Sequence, residues 1–244
     1  MRMYAVYHKN NALSFISHLD IQRTLQRAFR RAGIPLAYSE GFNPHPRLSF
    51  AAAVPTGSSS DCEWFEVYLD CDMTPEAFMA RTNACLPESL YLTDAALVPE
   101  GAGKLTKMVC AADYAVRFSA ERALTAGEAG KALDAVLAGP IVVDKNTKGG
   151  IKAVDIRPQI IAASVRGEDE GAVLLDIQGR LTVDGGLRVE HLTDALAAAL
   201  GVSHAAAEIH RTAMYFEPDA PALLPRLPAE RLGVFESNEQ GDSR

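Results

Sequence analysis

Short apolar runs with alternating polarity recur along this chain, separated by stretches in which apolar residues return at helical spacing. Residues 3–7 and 13–16 are apolar and partly alternating, which predicts two strands joined by the turn His8-Lys9-Asn10-Asn11. A helix follows with clear punctuation. Ser17 stands at the N-cap, Asp20 three residues on completes a capping box, and Ile16 and Ile21 are spaced for a hydrophobic staple. Leu25, Ala28, Phe29 and Ala32 continue one apolar stripe, and Arg23, Arg27, Arg30 and Arg31 line its flank. Gly33 stops the helix and Pro35 prevents its continuation.

Strand character returns at 36–39 and 47–54. Between them Glu40-Gly41-Phe42-Asn43-Pro44-His45-Pro46 predicts an irregular loop, because two prolines bracket His45 and restrain the residues before them. Residues 55–60 read as a loop and 64–69 as a strand. A helix capped by Thr74, with Pro75 at its first position, runs to about Cys85, and 91–98 is a further strand. After a Gly-containing linker the same order begins again: strand 113–119, helix 125–137, strand 141–143, a Lys/Gly loop at 145–150, strand 153–165, an acidic turn at 167–170, strand 173–177, helix 189–200 and strand 207–216. Aligning Pro35 with Pro140 puts the two series in register.

Each half therefore reads β-α-β-β-α-β. The expected class is α+β, with two ferredoxin-like halves forming a pseudo-repeat and antiparallel sheets whose helices pack on one face. The expected bounds are 1–98 for the first half, 99–110 for a linker, 111–217 for the second half and 218–244 for a Pro-rich, partly disordered tail.

Composition narrows the function classes. Hydrophobic residues make up 48% and charged residues 23% of the chain, ordinary values for a soluble globular protein. No apolar run is long enough to span a membrane, and the N-terminus has no signal-peptide core, so a cytoplasmic location is expected. Cys62, Cys71, Cys85 and Cys110 form no C-x-x-C pair, which leaves structural zinc and iron–sulfur sites unsupported and predicts buried thiols. No nucleotide-binding glycine loop is present either, and no metal or cofactor is expected. The net charge of −7 is zoned. Residues 1–50 hold seven Lys and Arg against Asp20 and Glu40, so the basic charge is gathered at one end of an otherwise acidic chain.

That zoning selects the candidate residues. Arg23, Arg27 and Arg30 offer guanidinium groups on one helix flank, a donor geometry suited to phosphate or carboxylate; a plain solvated face is the alternative. Asn43, His45 and Arg47 alternate around two prolines and, in an extended segment, share one side; a rigid loop crossing the sheet edge is the alternative. Gly41 permits a positive φ, and Tyr38 and Phe42 either stack on a ligand or belong to the core. His18 at the first helical turn suits a neutral imidazole, while Asp20 is accounted for by the capping box. Lys148 and Arg157 supply cations in the second half, where the Lys/Gly loop is the counterpart of the first-half loop.

Together Phe15-Ile16-Ser17-His18-Leu19-Asp20, the Arg-rich helix, Tyr38-Ser39-Glu40-Gly41-Phe42-Asn43-Pro44-His45-Pro46 and Asp155-Ile156-Arg157-Pro158 resemble the radical-SAM-associated domain family DUF2344. The resemblance covers about residues 2–216. It implies association in trans with a radical SAM protein and a connection with RNA or a ribosomal component, without supplying a catalytic mechanism. The three-Cys motif of a radical SAM enzyme is absent from this sequence, so that chemistry would belong to the partner. The favoured expectation is an accessory module that is not an enzyme on its own and presents an anionic, RNA- or ribosome-related substrate. Two rivals stand beside it. One is an RNA-modifying enzyme of pseudouridine-synthase-like architecture, in which Asp20 or Asp155 would have to act as nucleophile although the GRTDxGVHA-like string is missing. The other is a protein–protein scaffold anchored by Trp64, Tyr68 or Phe42.

Overall fold

The computed structural model describes residues 1–147, 150–182 and 185–226. It is a mixed α+β structure whose chain divides into two compact units. The first comprises Met1–Cys110 with Arg211–Arg226, and the second comprises Ala111–His210. No helix among the described residues is long and apolar enough to cross a membrane.

In the first unit the order is β1 (Arg2–Lys9), α1 (His18–Arg31), β2 (Leu48–Phe50), β3 (Ser58–Tyr68), α2 (Pro75–Asn83) and β4 (Leu90–Leu97). β1 lies between β4 and β3, β2 pairs with β3, and these pairings are antiparallel. Period-two alternation puts Met3, Ala5 and Tyr7 of β1 on the same face as Phe65 and Val67 of β3, and α1 covers that face with Ile21, Leu25 and Phe29. Phe29 reaches Phe78 of α2 at 5.6 Å and Phe65 at 6.1 Å between ring centroids, so one aromatic group ties both helices to the sheet. Burying each such side chain contributes about 1.5–3 kcal/mol.

The opposite face is closed by the segment before β5. Arg2 pairs with Glu66 and donates to the carbonyl of Ala102 at 2.8 Å, and Tyr4 donates to Gly103 at 3.1 Å. Residues 99–110, expected as a linker, therefore include a short helix α3 (Leu105–Met108) with Leu105 fully buried. Trp64 meets Phe216 edge to face at 5.7 Å, which buries it in the unit rather than leaving it as a partner anchor. Ala220 and Leu224 are buried as well, and the amide of Phe216 donates to Pro225, so residues 218–226 pack on this unit. The remainder of the expected tail lies outside the described residues.

The second unit contains β5 (Val109–Ser119) from Ala111 onward, α4 (Ala126–Leu137), β6 (Val142–Thr147), β7 (Gly150–Asp155), β8 (Ile160–Asp169), β9 (Ala172–Arg180), α5 (Val189–Leu200) and the start of β10 (Ala206–Phe216). Its sheet order is β10-β5-β9-β8, with α4 packed against α5, β8 and β9. In the first unit β4, β1 and β3 are successive neighbours, and β2 pairs with β3 off that path. β6 and β7 form a hairpin sheet of their own.

Several local expectations are corrected. Residues 13–16 are not a strand. Asn11–Leu13 is a 3-10 turn, because the Asn10 side chain accepts from Ala12 and tightens the chain there. Residues 36–39 form only isolated bridges, Leu36 to Leu69 and Tyr38 to Pro46. β3 begins at Ser58, so Ser58, Ser59 and Ser60 are buried strand residues rather than loop. The expected strand 153–165 is two strands, broken after Asp155 by a 3-10 turn, Arg157–Gln159, that contains Pro158.

Candidate anion-binding face

The start of α1 is built as its capping residues demand. Ser17 Oγ accepts from the Asp20 amide at 3.2 Å and donates to Asp20 Oδ2 at 2.7 Å, and Arg23 Nη1 donates to Asp20 Oδ1 at 3.0 Å. The Ser17 hydrogen bond, followed by that of Arg23, holds the Asp20 carboxyl below the usual carboxylate range. Asp20 is thus engaged by the helix start and by Arg23.

Ile21, Leu25, Ala28 and Phe29 turn inward, and the opposite stripe leaves Arg23, Arg27 and Arg30 exposed. Arg27 and Arg30 have no hydrogen-bond or ion-pair partner among the described residues. Arg31 leaves this set by donating to the carbonyl of Cys85 just past α2, while Arg81 Nε donates to Ala32 at 3.0 Å and so caps α1 in return. Phe15 and Leu19, exposed by 84% and 60%, flank the head of the stripe. The exposure of Phe15 was hidden in sequence because 13–16 read as strand.

The loop after α1 is clipped at its base. Ser39 and His45 are joined three ways: the Ser39 amide donates to the His45 carbonyl at 2.9 Å, the His45 amide to Ser39 Oγ at 3.1 Å, and His45 Nδ1 lies 2.9 Å from that hydroxyl. Gly41 takes φ +111°, a turn that only glycine makes without strain. Asn43 is exposed at the tip, Phe42 projects fully into solvent and Tyr38 is half exposed. Arg47 stacks its guanidinium 3.8 Å from the centre of the Tyr68 ring. Asn43, His45 and Arg47 thus occupy three environments and share no partner among the described residues.

In the second unit Arg157 is a structural cap. Its Nε donates to Leu137 at 2.8 Å at the end of α4 and its Nη1 to Ile160 at 3.1 Å. Asp155 Oδ1 accepts from the amides of Ile141 and Arg157 at 2.8 and 2.9 Å, so it too is engaged in the backbone. These residues line an open groove of about 460 Å³ with Ala138, Gly139 and Pro140. Lys148 lies outside the described residues.

Sequence reasoning missed Glu63 and Lys9, two members of a buried polar group. Tyr7 and Glu63 stand opposite each other in the β1–β3 ladder, and Arg211 Nη1 donates to Glu63 Oε1 at 2.7 Å. Lys9, fully buried, donates to the carbonyls of Ser58 and Ser14 at 2.9 and 3.2 Å. Burial pushes the Lys9 ammonium down from its ordinary value, with Glu63 opposing. Burial likewise lowers His18, whose Nδ1 has no hydrogen-bond partner among the described residues and whose ring packs edge to face on Phe50 at 4.7 Å. Burial raises the Cys62 thiol to about 12. The signal available in sequence was Lys9 continuing the inward Met3-Ala5-Tyr7 alternation, and Glu63 two positions before the core residue Phe65. No group of His, Cys, Asp and Glu among the described residues has the arrangement of a metal site.

Residues 2–187 match the family described as "Uncharacterized protein conserved in bacteria (DUF2344)". The chain belongs to that family. Among solved structures, this DUF2344 member is similar to a Cbf5–Nop10–Gar1 complex, at 10% identity and a TM-score of 0.51, over 88% of this chain and 50% of the other. It is also similar to an H/ACA RNP bound to a substrate RNA containing 2′-deoxyuridine, at 9% identity and a TM-score of 0.47, over 86% of this chain and 47% of the other. An archaeal box H/ACA sRNP Nop10–Cbf5 complex is similar at 10% identity and a TM-score of 0.46, over 98% and 55%. The chain spans about half the length of these solved chains, and at such identity the likeness concerns fold alone. Curated proteins yielded no match.

Proposed function

We propose that this protein is a binding module for single-stranded RNA, and that α1 and the loop after it form the contact surface. One observation carries the reading: Arg23, Arg27 and Arg30 form an exposed stripe on α1, with Arg27 and Arg30 making no hydrogen bond or ion pair among the described residues. Exposed Phe42 and Tyr38 on the following loop add flat surfaces of the kind on which unpaired bases stack. Guanidinium donors with aromatic platforms grip a flexible polyanion without needing a deep pocket. The chain-wide negative charge makes the basic zone selective, since the rest of the surface repels nucleic acid.

Charge reversal of Arg23, Arg27 and Arg30 together tests this by fluorescence anisotropy on a labelled single-stranded RNA. The variant is expected to bind at least roughly tenfold more weakly, with a salt slope shallower by about 0.7 per lost phosphate contact. Equal binding by the wild type and the variant ends the RNA reading. The finer role follows from the resemblance of the SHLD and GFNPHP stretches to radical-SAM-associated domains: the bound segment is presented to a radical SAM protein in trans. Deleting this chain should then remove a radical-SAM-dependent nucleoside from cellular RNA. An unchanged nucleoside profile by mass spectrometry would refute that role.

A further inference from the structure

The hairpin β6–β7 departs from the economy of the rest of the molecule. It is a two-stranded sheet that pairs with no other strand among the described residues. Such a ribbon is marginal in water unless one face is packed. Here residues 150–153 are all exposed, and Val143, Val154 and Lys145 are partly covered. Its register places Lys145 directly opposite Lys152. Directly opposed residues have Cβ atoms about 4.5–5.5 Å apart, a position in which like charges destabilise the pair. No ion pair among the described residues includes either ammonium. Alternation sets both lysines on the Val143/Val154 face, and sets Val142 and Ile151, exposed by 62% and 72%, on the other.

A marginal ribbon with two lysines directly opposed across it sets like charges side by side, an arrangement that disfavours the bare hairpin. An anion accepted by both ammonium groups would reverse the sign of that local term, turning a repulsive pair into a bidentate cationic site. We propose that β6–β7 is a phosphate-binding arm for the RNA backbone, with Lys145 and Lys152 closing on one phosphate. The arm rests on the RNA reading above and adds to it a contact on an element separate from α1. Lysine suits this role because a backbone phosphate presents charge in varying orientations, and a compact ammonium on a flexible stem demands no fixed planar geometry.

The experiment compares four full-length proteins on the same labelled single-stranded RNA over a salt series: wild type, Lys145→Thr/Lys152→Thr, Val142→Ser/Ile151→Ser, and the α1 charge-reversal variant. Thermal melts without RNA accompany them. The lysine variant is expected to bind more weakly by roughly tenfold, to show a salt slope shallower by about 0.7, and to melt no lower than wild type. Wild-type affinity and slope in that variant, while the α1 variant loses binding, would overturn the arm and leave the RNA reading standing. No binding by the wild type would overturn both. Loss of binding only in the Val142/Ile151 variant would move the contact to the apolar face and overturn the arm. A melt clearly below wild type in the lysine variant would show the pair to be structural, with the same consequence.

Discussion

Arg211 Nη1 donates to Glu63 Oε1 at 2.7 Å, and the two side chains retain only 2% and 1% of their exposure. The residues are 148 positions apart. Removing two charges from water costs several kcal/mol each, and only close pairing recovers that cost. The pair sits beside Tyr7, where an apolar contact would have served the core as well.

Replacing Glu63 by Ala takes the carboxylate from a buried guanidinium and is expected to cost about 3–5 kcal/mol. Urea unfolding of Glu63→Ala and of the double variant Glu63→Leu/Arg211→Met checks this. The double variant should recover most of the loss, because it removes both charges together. A single-variant cost below about 1 kcal/mol would show that water reaches the pair.

His18 makes stability depend on pH. Burial holds its folded pKa below the ordinary 6.5, with Glu63 opposing and Lys9 adding to the effect. As pH falls, the unfolded chain takes up the proton first, so the stabilisation is complete above 6.5 and declines as pH drops through that value toward the folded pKa. Wild type should therefore lose stability relative to His18→Gln between about pH 7 and pH 5. Parallel curves for the two proteins would place His18 in water.

The cysteines should separate by reactivity. Cys71 is exposed, Cys110 is buried, and the Cys62 thiol is pushed up to about 12 by burial. Thiol titration of the native protein near about pH 8 is expected to label Cys71 rapidly. Cys62 and Cys110 should respond only on unfolding. Rapid labelling of Cys62 would mean that β3 opens locally.

Parts of this architecture were legible because they are local. Ser17 and Gly33 delimit α1 by satisfying amides and carbonyls within one turn of themselves, and the Ile21-Leu25-Phe29 stripe needs only helical periodicity. Strand ends were less legible. Ser58, Ser59 and Ser60 carry no apolar alternation, yet they are buried in β3. The candidate residues divided in the same way. Arg23, Arg27 and Arg30 stayed exposed as helical spacing required, whereas Arg157 was taken up by the carbonyl of Leu137 at the end of α4.

The sequence by itself determined the α+β class and the exposed arginine stripe, because backbone dihedral preferences and side-chain periodicity act over a few residues. Only the tertiary structure decided which charges are paired, buried or left facing water. Glu63 finds Arg211, Arg2 finds Glu66, and Lys145 is held opposite Lys152 through strand pairing. Register between strands is set by the packing of whole faces, and a shift of one residue would exchange every one of these partners.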